Sequence, residues 1–138
     1  MGHPGLLALA QEMARFGNDR EAPARAVMAM LGDRWTTLIL LVLCHGEMRH
    51  ADLKRTVARL SFEKAISQRV LTLKLRALER DGFVLRTVTA DVPPRASYRL
   101  SPSGMALEEH ARAMITWING LSAEIRDARE RYDRCDAS

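Results

Sequence analysis

Ser67-Gln68-Arg69-Val70-Leu71-Thr72-Leu73-Lys74-Leu75-Arg76-Ala77-Leu78-Glu79-Arg80-Asp81-Gly82 is the stretch on which the reading of this chain turns. Val70, Leu71, Leu75 and Leu78 recur at helical spacing and share one face of a helix over 68–80. Ser67 caps its start, and Asp81-Gly82 supplies turn chemistry at its end. With leucines on the inner face, Gln68, Arg69, Thr72, Leu73 and Arg76 fall on the outer one, about a turn apart.

On the N-terminal side, residues 51–60 read as a short basic helix with Leu53, Val57 and Leu60 facing inward. A polar loop, Ser61 to Ala65, joins it to the next helix. The segment Trp35 to His45 is apolar almost all round, so it belongs at the centre of the domain; Asp33 caps it and Gly46 ends it. Pro23 suits a first helical turn, and Ala26, Val27, Met30 and Leu31 make an apolar stripe up to Gly32. On the C-terminal side, Phe83, Val84, Leu85 and Val88 are β-prone. Pro93-Pro94 cannot continue a ladder and marks a hairpin tip, and Ser97 to Leu100 returns. Ser101-Pro102 opens a last long helix, with Ser103 as its expected cap. The chain is therefore expected to be mainly α with a small β-hairpin. Helices followed by a hairpin in so short a chain point to a winged helix-turn-helix, with 51–60 and 67–80 as the paired helices.

The charge is distributed unevenly. Between Arg49 and Arg99 twelve Lys/Arg stand against five Asp/Glu, a surplus of +7, whereas the whole chain carries +4. The rest is thus −3, and a basic middle between acidic flanks is what a polyanion-binding face requires. At 138 residues with 47% hydrophobic residues the chain can fill one core and has little room for a second.

The ends carry a different signal. Leu6, Leu9, Met13 and Phe16 form a short amphipathic helix stopped at Gly17. Leu107, Ala111, Met114, Ile118, Leu121 and Ile125 alternate four and three apart, the heptad seam of helices packing side by side. A single helix over 103–132 would be roughly 45 Å long at ~1.5 Å per residue, more than this domain can cover. Gly120 weakens its interior. The expectation is a homodimer, with Leu6, Leu9, Met13, Leu107, Met114, Ile118, Leu121 and Ile125 at the interface. Three parts follow: an N-terminal arm over 1–21, a winged helix domain over 22–102, and a dimerisation helix and tail over 103–138.

The order of several stretches resembles the HxlR-type regulators, a branch of the MarR-like winged helices. They are Leu31-Gly32-Asp33-Arg34-Trp35, Arg49-His50-Ala51-Asp52-Leu53, Ile66-Ser67-Gln68-Arg69-Val70-Leu71-Thr72, Leu75 to Phe83, Val92-Pro93-Pro94-Arg95 and Tyr98 to Gly104. The resemblance covers about 22–120. It implies a transcription regulator that binds duplex DNA. Three departures stand out. Ala22 occupies the place of a cysteine that some members use to sense oxidants, His50 stands where the family usually has Phe, and Ser61 to Ala65 looks like an insertion.

On that reading the helix over 67–80 enters the major groove. Arg69 pairs with guanine, Gln68 with adenine, and Thr72 meets a thymine methyl or a phosphate. Ser67 and the helix N-terminus suit a phosphate oxygen. Arg95 at the hairpin tip fits a minor groove. Arg49, Lys74, Arg76 and Arg86 are further DNA-contact candidates.

Other functions find little support. No P-loop, G-x-G-x-x-G, H-E-x-x-H or G-x-S-x-G is present, so no enzyme is expected. Cys44 and Cys135 make neither a disulfide framework nor a zinc motif, and no metal or other cofactor is expected. No apolar run spans a membrane, and a cytoplasmic protein is expected. A small-molecule effector is a further expected partner, in a pocket lined by Trp35, Met114 and Trp117. The competing reading is a winged-helix protein-interaction module without DNA binding; repression is the default outcome on DNA.

Overall fold

Trp35, Leu38, Ile39, Leu40, Leu41, Val42 and Leu43 leave no polar face to turn to water, and the elements gather around them. The computed structural model describes residues 2–61 and 65–137. In chain order these hold α1 (Pro4–Phe16), α2 (Pro23–Leu31), α3 (Arg34–Leu43), β1 (Met48–Arg49), α4 (His50–Leu60), α5 (Gln68–Arg80), β2 (Val84–Val88), β3 (Ala96–Leu100), α6 (Pro102–Gly120) and α7 (Ser122–Ala137). The helix α3 packs against α2, α4, α5, α6 and β3. Its Ile39, Leu40 and Leu43 join Leu53, Val57, Leu71, Leu75, Leu78 and Val84 in a core with almost no solvent exposure. Shortening such a leucine to alanine costs about 2–5 kcal/mol.

The caps follow the sequence in two cases and differ in a third. Asp33 Oδ2 accepts from the Thr36 amide at 2.9 Å, and Ser67 Oγ accepts from the Val70 amide at 3.1 Å. At α6 the cap is Ser101, whose Oγ accepts from the Gly104 amide at 3.0 Å, and not Ser103. Ser101 is extended (φ −72°, ψ 170°), whereas Ser103 already lies inside the helix.

The sheet is antiparallel in the order β1-β3-β2. Val84 pairs with Leu100 and Val88 with Ala96, which leaves 89–95 as the wing tip. The strand β1 was not foreseen. Met48 and Arg49 pair with Tyr98 and Ser97, and two residues carry no alternation from which to read a strand. Ser101 joins the wing to α6: its Oγ donates to the Gly82 carbonyl and its amide to the Phe83 carbonyl. Gly104 completes this joint, since a Cβ there would lie 2.0 Å from the Phe83 oxygen.

The expected single long C-terminal helix is corrected to two. It is interrupted at Leu121 (φ −98°, ψ 5°), just after Gly120. Of the expected loop Ser61 to Ala65, residues 62–64 lie outside the described residues. Among the described residues no single helix is long and apolar enough to cross a membrane.

Candidate nucleic-acid interface

Burying Leu71, Leu75 and Leu78 fixes the roll of α5 about its axis, and that roll decides what its other face presents. Gln68, Arg69, Thr72, Leu73 and Arg76 come together there as the lining of one shallow trough. All are exposed except Thr72, which is half-buried. Beside it runs a cationic groove of about 660 Å³, between the start of α4, Gln68 and the wing tip; it brings Arg49, His50, Lys54, Arg55 and Arg95 together.

Ion pairing sorts the basic side chains. Among the described residues Arg49, Arg69, Arg76 and Arg95 make no ion pair. Lys74 instead reaches Asp33 Oδ1 at 3.2 Å, so the structure ties it to the start of α3, away from the trough lining. Arg86 Nε lies 3.6 Å from Glu79 Oε1, linking the wing to α5. Arg55 is held by Asp52. Arg95 is placed by its backbone, whose amide donates to Thr89 Oγ1 at 3.0 Å and whose carbonyl accepts from the Thr89 amide at 2.9 Å. That leaves the Arg95 side chain exposed at the tip.

Two residues stand at this face that the sequence did not single out as contacts. Leu73 is 53% exposed in the middle of the trough, which suits contact with a thymine methyl. His50 Nε2 lies 3.0 Å from Thr72 Oγ1, and its ring is tilted against Tyr98 at 6.1 Å. Burial, and then the Lys54 ammonium, push His50 below the ordinary histidine range. Helical periodicity could place Leu73 but not signal a role, and the pairing of His50 with Thr72 depends on tertiary packing.

The terminal helices carry most of the exposed apolar surface. No residue of α1 is buried; Leu6, Leu9 and Met13 are 44–50% exposed. The seam on α6 divides. Leu107 and Ala111 pack onto the domain itself, Met114, Trp117 and Ile118 are exposed, and Leu121 and Ile125 are half-buried. Trp35 lies under the Arg34 guanidinium, in an apolar cleft with Leu31, Leu38 and Leu41; Met114 and Trp117 are not among the lining residues of that cleft. Among the described residues no three His, Cys, Asp or Glu side chains stand together as a metal site.

The sequence pattern of the HxlR-like helix-turn-helix family matches residues 30–125. The HTH-type transcriptional regulator YtfH of Escherichia coli (strain K12) is 34% identical over 110 residues, which span 80% of this chain and 82% of the relative. Among solved structures, the transcriptional regulator ytfH from Salmonella typhimurium superposes with a TM-score of 0.67 at 33% identity, covering 83% of this chain and 98% of that one. The redox regulator HypR in its reduced form superposes with a TM-score of 0.64 at 30% identity, covering 76% of this chain and 98% of that one. With its paired α4 and α5, its hairpin wing and this extent of similarity, the chain belongs to the HxlR-like helix-turn-helix family of transcriptional regulators.

Proposed function

We propose that the chain is a dimeric repressor that reads a palindromic operator through α5. The observation that carries this reading is the trough of Gln68, Arg69, Thr72, Leu73 and Arg76, an exposed helix face whose arginines make no ion pair among the described residues. Arg69 beside Gln68 offers bidentate donors and acceptors to base edges. Ser67 at the start of α5, Arg49 and Arg95 supply phosphate or minor-groove contacts on either side. The protein acts by occupancy, without chemistry of its own, in the cytoplasm where its DNA target lies.

The second copy covers the apolar faces of α1 and of the C-terminal half of α6. Leu6, Leu9, Met13, Met114, Trp117 and Ile118 are 41–63% exposed, and large apolar side chains grouped on a helix face favour a partner over water. A two-fold pair presents two copies of α5 to two half-sites. The Trp35 cleft is the part of the expected effector site that this reading keeps.

Electrophoretic binding tests it, with DNA upstream of the coding sequence against an unrelated duplex and with Arg69→Ala alongside. Preference for the upstream DNA, lost in Arg69→Ala, is the expected result. Failure of the wild type to bind either duplex at low salt overturns the reading in favour of a protein-interaction module.

A further inference from the structure

Thr72 is the member of the α5 trough whose side chain is tied back into the protein, through its hydroxyl to His50 Nε2 at 3.0 Å. We propose that His50 is a positioning residue for sequence readout, setting whether the Thr72 hydroxyl turns a lone pair or its proton toward the base edge. The proposal rests on the reading of α5 as the recognition helix.

The chemistry follows from counting protons. A hydroxyl has one proton to donate and two lone pairs. When the His50 ring is neutral with its proton on Nδ1, Nε2 accepts the Thr72 proton. The oxygen lone pairs then face outward, suited to the amino group of adenine or cytosine. When Nε2 carries a proton it donates to Thr72, and the hydroxyl proton turns outward, suited to a carbonyl of guanine or thymine or to a purine N7. The imidazolium has only this second arrangement, so protonating the Nδ1–H form of His50, the form proposed for the neutral ring, reverses the polarity that Thr72 offers.

The surroundings hold the ring in place and decide its charge. The Tyr98 ring on β3 lies at 6.1 Å. Lys54 stands one turn along α4, and Arg49, Asp52, Arg55, Gln68 and Arg95 line the same groove. Around Tyr98 lie Arg76 and Glu79 of α5 and Arg86 of β2. Asp52 is engaged by Arg55 and Glu79 by Arg86. The free protein therefore keeps His50 neutral at neutral pH, and converting it takes acidification below the ordinary histidine range.

The test is enrichment from a duplex library with randomised half-sites, at about pH 8 and about pH 5. Wild type is expected to shift its preference at one position of each half-site, from an amino-bearing base toward a carbonyl or N7 acceptor, by about threefold to tenfold as pH falls. His50→Phe, which keeps a ring in the same space, is expected to keep the rest of the motif and lose the shift. His50→Gln hydrogen-bonds without titrating and is expected to hold a fixed preference there. Thr72→Val is expected to lose discrimination at that same position at both pH values. The exposed His3, His45 and His110 are present in every variant, so they cancel in the comparison. A wild-type motif unchanged by pH, or a shift that survives in His50→Phe or His50→Gln, overturns the assignment alone. A library that yields no enriched sequence overturns the recognition-helix reading itself.

Discussion

Lys74 Nζ lies 3.2 Å from Asp33 Oδ1, so a basic side chain of α5 braces the N-cap of α3. Burial raises the Asp33 pKa, but the Thr36 amide and hydroxyl, and then Lys74, outweigh it and hold the carboxyl below its ordinary range. A carboxylate depressed in this way stabilises the fold above its unfolded pKa, and the contribution is lost as pH falls through the folded one. Asp33→Ala is expected to cost about 1 kcal/mol near neutral pH in urea denaturation, with the deficit vanishing well below about pH 4. Lys74→Met is expected to cost less than about 1 kcal/mol, since the pair is partly exposed. A deficit for Asp33→Ala that stays constant into acid contradicts the assignment.

Arg69 and Arg95, which make no ion pair among the described residues, are expected to behave differently from Lys74 on DNA. Replacing Arg95 by Gln should weaken binding and reduce the slope of log affinity against log salt by about one. Replacing Arg69 by Gln should also relax preference at one position, by about 1–3 kcal/mol. Lys74→Met should leave the salt slope as in wild type, and fluorescence anisotropy across a salt series measures all three. A slope change for Lys74→Met as large as that for Arg95→Gln would mean that the ion pair opens on DNA.

Gly104 meets the Phe83 carbonyl too closely for any side chain, with 2.0 Å left for a Cβ. Gly104→Ala must part α6 from the wing and is expected to cost about 3 kcal/mol. In thermal unfolding that corresponds to a drop of roughly 10 °C. Gly120→Ala, with open space around the added methyl, is the matched control and should not lower the midpoint.

Cys44 donates to the Leu41 carbonyl at 3.1 Å, and burial, followed by the buried Glu108 carboxylate, pushes its pKa up. The thiolate is the reactive form. Iodoacetamide is therefore expected to label Cys44 in the native protein more slowly than the exposed Cys135, with the lag shrinking as pH rises. Mass spectrometry of timed digests reads both sites, and early labelling of Cys44 at neutral pH would refute its protection.

The trough on α5 was legible because period and composition agree: once three leucines must face inward, the outer five are determined. The tie of Lys74 to Asp33 was not legible, because its partner comes from a distant part of the chain and only packing brings them together. The seam was half legible. Heptad spacing finds Leu107 and Ala111 as readily as Met114 and Ile118, but not that the first pair covers the domain itself while the second stays exposed. The interruption at Leu121 is hidden because the apolar spacing runs on through it, and β1 is too short to leave a pattern.

Ser101 holds Gly82 and Phe83 while Gly104 presses on the same carbonyl, so the base of the wing and the first turn of α6 have no slack between them. Mechanically they are one part with two arms. A twist applied where Met114 and Ile118 protrude is carried through that joint to the far arm, where Arg95 sits at the end of the lever. In the proposed dimer, the seating of the second copy on α6 would thereby set the spacing and tilt of the two wing tips.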